Sequence, residues 1–248
     1  MGDIKQVLFF VGLAVAAGCS DSYNPTPSAS GVFPSEGFIG RHVRVEVSGE
    51  ETKWADGATL SFGDGITVTN INVASESDII ADLDISDTAA LSDRDVVVTS
   101  GKETDTLKGA FKTTSPITFQ IQGSAAQGSV AQFVVQSLDF ETPFDTTSTG
   151  DGFFTPLVYT NIALDGGPGV NLSVSSVTPY TITGLALIDV DAPAMTAPIT
   201  VVSGPSGGTT VSSPLGAPVP IMARSATDIA SGTPATGSIA NPYDSQLY

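Results

Sequence analysis

One cysteine, one histidine and one tryptophan in 248 residues leave little room for several kinds of chemistry. A clustered Cys/His zinc centre needs more such ligands than the chain has, and a Cys/His nucleophile pair would have to be built from the single copies Cys19 and His42. Basic residues are scarce as well. Nine Lys+Arg stand against 26 Asp+Glu, a formal net charge of −17 that repels a phosphate backbone and argues against nucleic-acid binding. Charged residues make up 14% of the chain, against about 25% in an average soluble domain. In their place stand 26 glycines and 16 prolines, as in a chain of strands and turns.

The apolar run 7–17 (VLFFVGLAVAA) is too short for a bilayer-spanning helix, which needs about 20 residues. It follows Lys5 and precedes small residues, the layout of a secretory signal. Ala16-Ala17-Gly18-Cys19 resembles a bacterial lipobox, which implies cleavage of residues 1–18 and acylation of Cys19 as the new N-terminus. An ordinary secretory signal followed by an unmodified cysteine is the alternative. Cleavage removes one acid, Asp3, and one base, Lys5, so the mature chain keeps its charge of −17. Several acyl chains on one cysteine hold firmly where one would not. Ser20, rather than an Asp, follows the cysteine, so the expected address is the outer membrane of a Gram-negative envelope. Residues 19–30 carry two prolines and no apolar period and are predicted to be a flexible tether.

Beyond the tether, apolar residues alternate: Val43, Val45 and Val47; Leu60 and Phe62; Ile79 to Ile85; Val96 to Val98. This is the spacing of strands, with Gly-Asp-Gly and Ser-Gly turns between them, and it predicts an all-β fold. The chain also repeats itself. Residues 65–101 align with 169–204 with one gap, at Asp78, and eight of 36 pairs are identical. The identities pair Gly65 with Gly169, Val73 with Val177, Ile79 with Ile182, Ile85 with Ile188, Ala89 with Ala192, and Val98, Ser100 and Gly101 with Val201, Ser203 and Gly204. The offset is about the length of one immunoglobulin-like sandwich, so two tandem copies are expected.

The first copy resembles the IPT/TIG immunoglobulin-like family: Pro34-x-x-Gly37-x-x-Gly40 opens it, and Val43-x-Val45-x-Val47-Ser48-Gly49, Leu60-Ser61-Phe62-Gly63 and Asp95-Val96-Val97-Val98-Thr99 follow. The expected organisation is a signal at 1–18, a tether at 19–30, sandwiches at 31–115 and 116–219, and a β tail or truncated third domain at 220–248. The second copy departs from the pattern through an insertion-like stretch at 140–160. Residues 232–248 resemble the opening strands of a bacterial pre-peptidase C-terminal domain.

Candidate chemistry is thin. His42, between Arg41 and Val43 at the start of a predicted strand, is expected on a solvent face, and no Gly-x-Ser-x-Gly elbow offers it a nucleophile; Ser206 lies in Gly204-Pro-Ser206-Gly-Gly, a turn of the wrong spacing. Asp82, Asp84 and Asp87, with Asp189 and Asp191, supply oxygens at short spacing but lack the loop glycine and terminal Glu of an EF-hand; they are expected to form a solvated acidic face rather than a calcium site. The Asp93-Arg94-Asp95 cluster carries its own cation. Gly101-Lys102 lacks the preceding glycines of a phosphate loop. Trp54 is expected to pack on its sheet and Phe153-Phe154 to close the end of the second sandwich, the alternative being an aromatic platform, with Tyr159, for a sugar ring or a partner loop.

The expectation is therefore a non-enzymatic, lipid-anchored envelope protein of tandem sandwiches, with Cys19 as its lipidation site, no cofactor or metal, and a surface protein or carbohydrate as partner. IPT/TIG domains also accompany enzymes, so a stalk for a catalytic domain beyond Tyr248 is the second reading.

Overall fold

Alternating valines, isoleucines and leucines turn one face of each strand inward, and two sheets close over each set. A computed structural model of the protein describes residues 26–123, 125–195, 199–204 and 211–224. The signal segment, Cys19 and the resemblance at 232–248 lie outside the described residues. Among the described residues there are fifteen strands and no helix.

The first sandwich contains β1 (Ser28–Phe33), β2 (Glu36–Phe38), β3 (His42–Glu50), β4 (Thr59–Ser61), β5 (Ile66–Ser75), β6 (Asp78–Ile85), β7 (Asp93–Ser100) and β8 (Glu103–Thr114). One sheet runs β1-β3-β6-β5 and the other β2-β8-β7-β4. In immunoglobulin lettering these are A-B-E-D and A′-G-F-C, the division of an immunoglobulin-like sandwich. The chain changes sheets at Pro34, after which β2 runs parallel to β8. Val45, Val47, Ile79, Leu83 and Ile85 from one sheet meet Phe62, Val96, Val98 and Phe111 from the other, all essentially buried. Phe62 and Phe111 pack edge to face with centroids 5.2 Å apart. Each such side chain contributes about 1.5–3 kcal/mol on burial. Trp54 is buried here, as expected, and its indole N–H donates to Asp105 at 3.3 Å.

The second sandwich contains β9 (Ile117–Gln122), β10 (Val130–Ser137), β11 (Ile162–Asp165), β12 (Val170–Thr178), β13 (Thr181–Ile188), β14 (Thr200–Ser203) and β15 (Val211–Pro214). Its sheets run β12-β13-β10-β9 and β11-β14-β15, or D-E-B-A and C-F-G, the same wiring without A′. The protein is thus an all-β chain of two immunoglobulin-like sandwiches.

The internal repeat is structural. Ile79 and Ile182, Ile85 and Ile188, and Val98 and Val201 are buried at matching positions of β6 and β13 and of β7 and β14. Ser100 accepts the amide of Ala55 at 3.1 Å and Ser203 that of Asp145 at 2.7 Å, each tying the last residue of strand F to the segment leading into strand C. Gly65 and Gly169 have φ of 82° and 73°, and a Cβ on either would come within 2.9 Å of Ala89 or Ala192. Only glycine combines that backbone with that contact, so this identity is a steric requirement met twice.

The first strand begins earlier than the sequence indicates. Ser28 opens β1, inside the stretch 19–30 read as tether, because Ala29 and Val32 pack against the core while β1 pairs with β3.

Candidate functional site

In the first sandwich the connection from strand B to strand C spans residues 51–58; in the second it spans 138–161, three times as long. Loops at sandwich ends carry recognition in this architecture. The long loop is anchored first at its base. Ser137 bonds to Tyr180, Leu138 donates to Pro116, and Phe144 is buried with its amide on Pro179 at 2.8 Å. Asp145 accepts from the Thr147 amide and from the Asn161 side chain, and its pKa is lowered, chiefly by its bonds with Thr147.

Above that base the chain makes a narrow hairpin. Thr149 and Val158 exchange two backbone hydrogen bonds, of 2.9 and 2.8 Å. Asp151 organises the tip: its Oδ1 accepts the amides of Phe153, Phe154 and Thr155 at 2.8–2.9 Å, while its own amide donates to Thr155 Oγ1. Those backbone donors, Thr155 first, hold its carboxyl down at about 2. Gly150, at φ 97°, lies where a Cβ would sit 2.2 Å from the Pro156 carbonyl oxygen. The tip is a built turn.

It displays two aromatic rings. Phe153 and Phe154 are 85% and 86% exposed and pack edge to face on each other, 4.9 Å between centroids. Leu157 and Val158 are exposed beside them. The expectation that these phenylalanines close the end of the sandwich is therefore corrected. Phe144 enters the core instead, and the Asp151 turn lifts Phe153 and Phe154 away from it. Trp54 belongs to the other sandwich and forms no platform with them.

The start of the same loop carries a second feature. Arg41, between β2 and β3, reaches across to the second sandwich with its side chain only 13% exposed. Its Nε–H donates to Asp139 at 2.6 Å, Nη1 to the carbonyls of Gly40 and Ser212 at 3.1 and 2.7 Å, and Nη2 to the hydroxyls of Thr142 and Ser213 at 3.2 and 2.7 Å. All five donors of the guanidinium are matched. Asp139, 7% exposed, also accepts from Thr142 Oγ1 and from the Glu141 amide. Desolvation pushes its carboxyl up, but Thr142, Arg41 and the arginine's charge together outweigh it and hold the pKa below the usual value. Ser115 Oγ adds a bond to the Pro214 carbonyl at 3.0 Å. Beside this joint lies a cleft of about 620 Å³, lined in part by Phe38, His42, Leu138, Phe140 and Glu141. The sequence offers no local sign of the joint, since Arg41 and Asp139 are 98 residues apart.

The other candidate residues are dispersed. His42 is 81% exposed on the side chain with Nδ1 3.6 Å from Asp84, and among the described residues no serine hydroxyl bonds to it. Asp82 binds Arg44 and Asn70, Arg44 being the main cause of a pKa lowered to about 2. Asp95 is paired with Lys108 at 2.6 Å, not with its neighbour Arg94, which donates to Ala90 across the end of the sheet. Among the described residues no group of three His, Cys, Asp or Glu stands close enough to hold a metal ion.

No protein-family model matches the chain, and no curated protein matches it either. Solved structures similar to it include the Yersinia pseudotuberculosis adhesin InvE (10% identity, 76% of this chain and 58% of that one, TM-score 0.25). They also include an ICAM-5 D1–D4 ectodomain fragment (10% identity, 82% and 53%, TM-score 0.28). A Bacteroides thetaiotaomicron protein of unknown function is similar at 14% identity, 80% and 49% coverage and a TM-score of 0.27. The chain spans about half to three fifths of these structures. The fold rests on the strand order of the two sandwiches, β1-β3-β6-β5 against β2-β8-β7-β4 and β12-β13-β10-β9 against β11-β14-β15.

Proposed function

We propose that this is a non-enzymatic binding or adhesion module of the bacterial envelope, anchored through acylated Cys19 to the outer membrane and presenting the long loop of its second sandwich as the contact surface. The observation that carries the reading is the Phe153–Phe154 tip: two large apolar rings held in water by the turn that Asp151 organises. An exposed ring pair forgoes about 1.5–3 kcal/mol of burial per ring, which a binding partner can recover. The IPT/TIG resemblance of the first sandwich and the lipobox at Cys19 support the address and the class of role.

The test is cell fractionation and adhesion in a Gram-negative host expressing the full chain. Wild type should sediment with the outer membrane and confer adhesion, Cys19→Ala should appear in the soluble fraction, and the double variant Phe153→Ser/Phe154→Ser should stay anchored but lose adhesion. Membrane retention of Cys19→Ala would refute the anchor, and undiminished adhesion of the double variant would refute the contact surface. The second reading, an N-terminal stalk for a catalytic domain beyond Tyr248, is supported by the Arg41 joint, because a spacer needs a stiff connection between its segments.

A further inference from the structure

We infer that the Phe153–Phe154 tip inserts shallowly into the interface of an uncharged or zwitterionic lipid bilayer; the inference rests on the reading of this loop as a contact surface and names what it contacts.

Three observations carry it. The first is the fate of the backbone. The amides of Thr149, Asp151, Gly152, Phe153, Phe154, Thr155 and Val158 all donate within the loop, and Pro156 has none to donate. In water such pairing is unnecessary, because solvent would satisfy an exposed turn. In a medium that offers no hydrogen bonds, unpaired amides are the main obstacle to entry. Most of the tip's amides are thus paired beforehand, while the Asp151 carboxylate that gathers three of them keeps its charge and confines the contact to the headgroup layer.

The second observation is side-chain chemistry. The projecting apolar groups are Phe153, Phe154, Leu157 and Val158, and the tip has no Arg, Lys or Trp. Protein interfaces draw their strongest contacts from Trp, Tyr and Arg and from matched hydrogen bonds. Here the backbone donors are already used, and the rings form a convex point that a deformable surface accepts without a shaped pocket.

Charge is the third. Between Lys112 and Arg224 the sequence has no lysine or arginine, while Asp139, Glu141, Asp145, Asp151, Asp165, Asp189 and Asp191 are all acidic. An anionic lipid surface would repel this sandwich, and docking onto another copy would bring like charges together. A phosphatidylethanolamine surface adds no net charge and offers ammonium groups to the Asp151 carboxylate at the tip. A chain already held at a membrane by its N-terminus needs little further affinity, since tethering raises the local concentration of the second contact.

The experiment uses the full chain, brought to vesicles by its N-terminus whether through acyl groups or through the 7–17 run. Phe154→Trp places a reporter at the tip, and Leu187→Trp, exposed on the outer face of β13, serves as the control. The native Trp54 is buried and supplies a constant background. With phosphatidylcholine–phosphatidylethanolamine vesicles containing brominated acyl chains, Phe154→Trp emission should shift to the blue and be quenched while Leu187→Trp is not. Replacing part of the zwitterionic lipid by phosphatidylglycerol should reduce the quenching severalfold at low salt. Emission from Phe154→Trp that stays unquenched and water-like would overturn the inference; if Phe153→Ser/Phe154→Ser nonetheless abolishes adhesion, the loop contacts a protein and the functional reading stands without it. Equal quenching at both positions would also overturn it, since the chain would then lie on the membrane without using the tip.

Discussion

Replacing Arg41 by alanine should uncouple the two sandwiches. The substitution removes five hydrogen bonds and leaves the Asp139 carboxylate, 7% exposed, without its counter-charge. Breaking a buried ion pair from one side costs about 3–5 kcal/mol. Asp139 keeps the Thr142 hydroxyl and the Glu141 amide, which places Arg41→Ala near the low end, about 3 kcal/mol. For a sandwich of about 100 residues each kcal/mol shifts melting by roughly 4–8 °C. Calorimetry should therefore show the second sandwich melting about 12 °C lower or more, and small-angle scattering should show a broader distribution of interdomain distances. Arg41→Lys keeps the charge but not the planar fork and should recover less than half of the loss. The exposed pair Arg44–Asp82 supplies the control, because Arg44→Ala should leave melting unchanged. If Arg41→Ala melts within 2 °C (about 0.5 kcal/mol at this size) of wild type with unaltered scattering, the joint carries no stability and the reasoning from burial fails.

Gly65→Ala and Gly169→Ala should each destabilise their own sandwich by about 1–3 kcal/mol, read by denaturant titration, because both combine positive φ with the alanine contact; a neutral result at either would break the structural equivalence. Phe144→Ala should cost about 3–5 kcal/mol, whereas Phe153→Ser/Phe154→Ser should stay within about 0.5 kcal/mol, the contrast between a ring in the core and rings in water. The depressed carboxyl of Asp139 stabilises the folded form above the ordinary carboxylate pKa, near 4, and that contribution is lost as pH falls through its folded value. Interdomain scattering should accordingly loosen below about pH 4 and not above it.

Strands and core were legible in the sequence wherever period two met a turn signal, as at Val43-Val45-Val47 and in the repeated Gly65–Ala89 and Gly169–Ala192 pairs. The candidate site was legible only as a location. The insertion-like stretch 140–160 was visible, but its adjacent phenylalanines read first as a plug for the sandwich end, with a displayed pair as the alternative. What decides between them is Asp151 gathering three amides, a feature of backbone geometry rather than of hydrophobic pattern. The Arg41–Asp139 joint escaped for another reason: its partners meet only once both sandwiches have folded, and nothing local to either residue encodes that meeting. Asp95 shows the same limit at short range, since strand pairing brings Lys108 across to it while its sequence neighbour Arg94 turns to a carbonyl.

The central claim, an envelope-anchored binding module, is tested most directly by the intact mass of the protein extracted from membranes of cells that make it. The account predicts a chain beginning at Cys19, lacking residues 1–18 and heavier than its sequence by the mass of its acyl groups. An N-terminus at Met1, or a chain cut before Cys19 with that residue unmodified, would contradict it.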